Sequence, residues 1–165
     1  MKRLLTAAAL LTLASCTPPQ NTGAEAVVRE IYTTAQQNIG HTTTPVSAIP
    51  MSEDLRALVE RAETAADARN EPFIEGDIAA NCQDSQSLSD LEIGPQEGPE
   101  AVPADDGHVI LEARFKLNGT EDRSVLYDLV ETADGWRVDN ILAEGFNLRS
   151  EAAAFLVDAA GEPTE

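Results

Sequence analysis

The sequence predicts an α+β domain, one layer of helices covering one face of an antiparallel sheet. Two observations point there. Apolar residues recur at helical spacing through the first half of the chain, whereas from residue 108 onward they alternate with polar ones. The alternating segments are also joined by tight turns, which link only antiparallel neighbours. A helical layer before such a sheet has one stable way to bury both apolar faces, which is to pack them together.

The first helix starts at Thr22-Gly23-Ala24-Glu25, which has the spacing of a capping box. Val27, Val28, Ile31, Tyr32 and Ala35 share one side of it, and Gly40 supplies a stop. Residues 41–50 are a Thr- and Pro-containing loop. Ser52 then reads as an N-cap, with Glu53 and Asp54 in the first turn where the helix dipole favours them. Leu55, Leu58, Val59 and Ala62 form the stripe of a second helix ending near Asn70. Residues 71–87 have no clean period, with Phe73 and Ile74 as core anchors.

The segment Leu88 to Ile93 is the expected first strand, and the Pro-, Gly- and acid-rich stretch from Glu92 to Gly107 a long exposed loop. In residues 108–117, Val109, Leu111, Ala113, Phe115 and Leu117 alternate with polar partners. The turn Asn118-Gly119-Thr120 leads to a strand from Arg123 to Glu131, and Asp134-Gly135 to one from Trp136 to Leu142. A last amphipathic helix, about Leu148 to Ala160, is expected to bury Leu148, Ala152, Phe155, Leu156 and Ala159. Trp136 shares a face with Val138 and Tyr127 and is expected in the core.

The N-terminus carries an address. Lys2 and Arg3 precede an apolar run from Leu4 to Ala14, only 11 residues long. A membrane-spanning helix needs roughly 20 residues, so the run reads as the h-region of a signal peptide, residues 1–15. It closes in Leu13-Ala14-Ser15-Cys16, which resembles the lipobox of bacterial lipoproteins. That resemblance implies cleavage before Cys16, a diacylglycerol on its sulfur and an acyl group on its new amine, palmitate being the usual kind of chain. Two or three chains anchor stably, each buried CH₂ contributing about 0.8 kcal/mol. Residues 16–21 are then a tether with a reach under about 20 Å, and 22–160 form a single domain held in the cell envelope facing the periplasm. Thr17 after the cysteine resembles an outer-membrane sorting signal.

The full chain has 11 basic and 29 acidic residues, and loss of Lys2 and Arg3 deepens its net charge of −18. Such a surface is repelled by nucleic acid and by anionic lipid head groups, since both carry phosphate charge, so no nucleic-acid partner is expected and the body hangs from the lipid on Cys16 rather than lying on the membrane. With Cys16 lipidated, Cys82 is the one remaining thiol, so no disulfide forms within the chain.

Three stretches resemble a bacterial envelope family, domain of unknown function 3828. These are Trp136 to Ile141 (WRVDNI) followed by Asn147-Leu148-Arg149 and the helix with Phe155-Leu156; the helix carrying Val28, Ile31 and Tyr32; and the helix opening Met51-Ser52-Glu53-Asp54-Leu55. Together they span most of residues 25–157. The resemblance implies a cystatin-like, nuclear-transport-factor-2-like fold, a curved antiparallel sheet of about four strands wrapped around helices with a conical cavity. It implies no established chemistry, and Asn140, Asn147 and the insert near residue 95 depart from the family pattern.

No catalytic, cofactor or metal constellation stands out. The histidines are His41, in a loop, and His108, at a strand start, and a three-histidine zinc site is thereby excluded. No nucleophile elbow is present, and Asp105-Asp106-Gly107 lacks the ligand spacing of a calcium loop. Regular strands would place Glu112, Arg114, Asp128, Arg137 and Asp139 on the face opposite Tyr127, as a cross-strand charge ladder. Leu126, Val130 and Ile141 share that face, so Leu126, Asp128, Val130, Arg137, Asp139 and Ile141 form the candidate partner surface. The expectation is a non-enzymatic binding or accessory module of the envelope. Two alternatives stand beside it: an immunity or inhibitor protein whose acidic loop blocks a cationic envelope-targeting enzyme, and a small enzyme with a carboxylate beside Tyr32 or Tyr127.

Overall fold

A computed structural model of the protein describes residues 22–84, 86–99 and 101–161; the signal peptide, Cys16 and the tether lie outside them. Helices α1 (Thr22–Asn38) and α2 (Glu53–Arg69) come first, with a short 3₁₀ turn at Val46–Ala48 between them. Strands β1 (Leu88–Pro95), β2 (His108–Leu117), β3 (Glu121–Thr132), β4 (Gly135–Ala143) and β5 (Phe146–Asn147) follow, and α3 (Leu148–Gly161) ends the domain. The strands form one antiparallel meander in the order β1-β2-β3-β4-β5. The architecture is α+β as expected, with five strands rather than about four. β5 is only two residues long, too short to show a period.

Local signals set the boundaries. Ser52 Oγ accepts from the Leu55 amide at 3.2 Å, and Asn70 closes α2 in the left-handed region at φ 54°. Asn118 and Gly119 both take positive φ, 52° and 73°, as a tight hairpin turn matched to strand twist demands. β1 continues to Pro95, past the expected end at Ile93, because Ile93, Gly94 and Pro95 still pair with Ala113, Glu112 and Leu111.

Burial of the sheet is one-sided. Leu111, Ala113, Phe115 and Leu117 of β2 and Val125, Tyr127 and Leu129 of β3 are buried, while His108, Ile110, Glu112, Arg114 and Lys116, and opposite them Asp122, Ser124, Leu126, Asp128 and Val130, are not. Helix α1 lies across the buried face with Ala24, Val28, Ile31, Tyr32 and Ala35, joined by Leu55 and Val59 of α2. Tyr32 packs on Phe115 (centroids 5.3 Å apart) and edge-on to Tyr127 (6.1 Å), so aromatic rings fill the centre of the core. α2 also packs on α3, where Ala62, Ala66 and Ala152 are buried.

Three expectations about the core are corrected. Phe155, Leu156 and Ala159 are only half-buried: α3 rests on α2 at the margin, where Phe155 meets Phe73 edge-on at 5.7 Å and lies under the Arg69 guanidinium. Trp136 is half-buried too, its indole lying on the backbone of Gly23, where an added Cβ would come within 2.7 Å of the ring. In the 71–87 connection Phe73 and Ile74 pack beside the core, and the fully buried residues are Ile78, Ala79 and Ala80.

Candidate functional site

The two polar clusters built around carboxylates lie on opposite sides of the sheet, and a β-bulge decides the outer one. Asp128 of β3 faces Asn140, but the next residue, Leu129, faces Val138, so Asp139 is an extra residue on β4. A bulge reverses the side-chain phase beyond it. Before it, Val138 points into the core and Arg137 outward beside Val130; after it, Ile141 sits in the core opposite Tyr127, 0% exposed. Ile141 is therefore not part of the outer surface, contrary to the regular-strand expectation, and Leu142 takes its place opposite Leu126.

The outer face that results has two ends. One is a shallow trough of about 490 Å³ among Asp90, Glu92, Glu112, Arg114, Lys116 and Asp122. Arg114 and Lys116 are both paired within it, Arg114 with Glu112 at 2.9 Å and Lys116 with Asp122 at 2.7 Å. Exposed pairs of this kind contribute at most about 1 kcal/mol. The other end gathers His108, Asp128 and Asp139, each offering one ligand atom within 4.8 Å of the others. His108 Nδ1 lies 2.8 Å from Asp128 Oδ1, with side-chain exposures of 18% and 17%. The Asp139 side chain is exposed to the same degree, 18%, so each of the three keeps a small solvent-facing part.

Asp139 is held from behind by two other elements. Residues 50–52 pair with β4 through Ser52 N donating to Val138 O and Val138 N to Pro50 O, and this brings the Ser52 hydroxyl to Asp139 Oδ1 at 2.5 Å. Arg149, in the first turn of α3, donates to the same oxygen and to the Asp139 carbonyl, both at 2.6 Å. Asn140 Oδ1 accepts the Arg149 amide and Asn147 Oδ1 accepts the Ser150 amide, so these two asparagines cap α3 and lock it to the bulge. The expected ladder is thus replaced. Asp128 pairs with His108 and Asp139 with Arg149, while Arg137 donates to its neighbour's carbonyl, Trp136 O.

The inner cluster is centred on Asp77, 6% exposed. Its Oδ2 accepts from the Thr44 amide at 2.6 Å and the Thr44 hydroxyl at 2.8 Å; its Oδ1 accepts from the amides of Ala79 and Ala80 at 2.9 and 3.0 Å. Four neutral donors saturate the carboxylate and fasten the 41–44 loop to the 77–82 turn. The Tyr32 hydroxyl donates to Ala79 O at 2.8 Å. Burial above all, reinforced by the negative charge of Asp77, pushes the hydroxyls of Tyr32 and Tyr127 above their ordinary range. An acid therefore does stand near the two tyrosines, but both rings are 0% exposed and the acid has no acceptor capacity to spare. Beside this turn, His41, Asp77, Cys82 and Asp84 line one polar cleft, and Cys82 is half-buried. Among the described residues His41 and Cys82 belong to no group of three convergent ligands.

Cys16 lies outside the described residues. Among those described, no helix is long and apolar enough to cross a membrane. No protein-family model and no curated protein matches the chain. Among solved structures, the chain is similar to the phospholipid-binding protein from Ralstonia solanacearum, solved in complex with a phospholipid. The identity is 16%, over 65% of this chain and 52% of that one, with a TM-score of 0.36. The chain thus spans about half the length of that protein, and at this similarity neither its fold nor its ligand transfers.

Proposed function

We propose that the protein is a lipid-anchored lipoprotein of the bacterial envelope, attached through Cys16 and facing the periplasm, that works as a non-enzymatic binding or accessory module. The observation that carries the binding role is the one-sided burial of the sheet: the outer positions of β2 and β3 stay accessible while Leu111, Ala113, Phe115, Leu117, Val125, Tyr127 and Leu129 between them are buried. Leu126, Asp128, Val130, Arg137 and Asp139 remain as the partner surface, with Leu142 in place of Ile141. The basic n-region, short h-region and Leu13-Ala14-Ser15-Cys16 support the anchor. Kinship with domain of unknown function 3828 and its cystatin-like, nuclear-transport-factor-2-like fold belongs to the same proposal, supported by the quoted motifs and by α1 lying across the sheet.

The anchor is tested by membrane fractionation and by mass spectrometry of the N-terminal peptide. Cys16→Ser is expected to release the protein from the outer membrane and to abolish the acylated peptide; unchanged processing and membrane retention would defeat the anchor. A photo-crosslinker at Val130 is expected to give an adduct in intact cells that one at Asp158, exposed on α3, does not.

A further inference from the structure

We propose that His108, Asp128 and Asp139 form a binding site for one divalent transition-metal ion on the outer sheet face. The inference deepens the reading of this face as the working surface, and it stands on geometry that the anchor does not enter. The three donor atoms lie within 4.8 Å of one another. Nitrogen and oxygen ligands sit about 2.0–2.2 Å from zinc, so in a tetrahedral shell two of them are about 3.3–3.6 Å apart. The widest pair, up to 4.8 Å apart, therefore closes by up to about 1.5 Å, a movement that side-chain rotation on fixed strands supplies.

Spare coordination capacity is present at each residue. Among the described residues, the hydrogen bonds reach Nδ1 of His108 and Oδ1 of Asp128 and of Asp139, leaving His108 Nε2 and both Oδ2 atoms without one. An imidazole with two carboxylates suits zinc and its neighbours better than calcium or magnesium, which take all-oxygen shells. Three protein ligands leave at least one position for water or a further ligand.

The framework is rigid where a site needs it. His108 and Asp128 sit on paired strands, and Asp139 is presented by a bulge, its carboxylate oriented from behind by the Ser52 hydroxyl, which would act as its outer shell. Arg149 opposes the ion, since its guanidinium competes with it for Asp139. This gives the site a signature that diffuse acidic binding lacks: removing a positive charge next to it tightens it selectively.

The test is calorimetric titration of zinc chloride into the full-length protein carrying Cys16→Ser and Cys82→Ser, which removes both thiols as competitors. One ion per chain is expected, with binding weakened at least about tenfold by His108→Asn or by Asp128→Asn, and strengthened several-fold by Arg149→Gln. Arg61→Gln, which removes an equal charge from the exposed side of α2, is expected to leave the affinity nearly unchanged. Absence of saturable binding, or binding that His108→Asn leaves unchanged, overturns the site, as does an equal gain from Arg61→Gln and Arg149→Gln. The Arg149→Gln arm reads a gain, so it remains decisive even if a loss variant folds poorly. Fractionation of Cys16→Ser reads the anchor separately, so either proposal can fail alone.

Discussion

Asp77 and Asp139 are both carboxylates that staple one segment to another, and they do it in opposite ways. Asp77 is sealed among four neutral donors with no cation, in a turn pressed against the aromatic core. Asp139 stands at the accessible end of the sheet, balanced by Arg149 and adjoining a second carboxylate and a histidine. The first arrangement uses up the acceptor capacity of its carboxylate to hold a fold, and the second leaves capacity over. A polar cluster is marked as a place of work by unfilled valence at the surface rather than by burial.

The contrast predicts a large loss at Asp77. Replacing it with alanine leaves the Thr44, Ala79 and Ala80 donors buried and unpaired, each costing about 1–3 kcal/mol. Asp77→Ala should lose at least about 3 kcal/mol in urea unfolding, and Asp128→Ala under about 1 kcal/mol because water reaches its partner.

A second way to sharpen the comparison is alkaline unfolding. Tyr32 and Tyr127 keep their protons in the folded state at pH values where the unfolded chain has lost them, near the ordinary value of 10. Their contribution is fully present below pH 10 and is lost as pH rises above it, by about 1.4 kcal/mol per pH unit for each tyrosine. Tyr127→Phe should halve that slope; a slope unchanged from wild type would mean that Tyr127 is not enclosed.

Smaller effects follow outward. Trp136→Ala should cost about 2 kcal/mol, less than the roughly 3–5 kcal/mol of a fully buried aromatic, since the indole is half-exposed on Gly23. Ser52→Ala removes both the cap of α2 and a bond to Asp139, about 1–2 kcal/mol. Replacing residues 97–104 by a short Gly/Ser turn should shift stability by under about 0.5 kcal/mol, because loop closure depends weakly on length. Thermal melts of purified variants read all three.

Period and turn chemistry made most of this fold legible. The two N-terminal helices, the hairpin at Asn118-Gly119 and the alternation in β2 follow from neighbours in sequence. What escaped depends on partners far along the chain. The bulge at Asp139 leaves no mark in Trp136 to Leu142, whose alternation reads equally well unbroken, and it moved Ile141 into the core. Ser52 and Arg149 reach Asp139 across 87 and 10 residues, which no local pattern records. Asp77 carried a faint signal, an aspartate two and three residues ahead of the amides it accepts from, a spacing common in turns. The diagonal neighbours His108 and Asp128 follow from the β2–β3 register, but the register becomes known only with the hairpin in hand.

The most direct test of the central claim is a map of backbone amide chemical shifts as zinc chloride is added to the full-length protein carrying Cys16→Ser and Cys82→Ser. Saturable changes are expected only at the outer end of the sheet, at His108, Asp128, Asp139, Asn140 and Arg149. Changes centred instead on Thr42–Thr44, Asp77 and Asp84, or spread evenly along the acidic loop at 97–106, would contradict a metal site on this face.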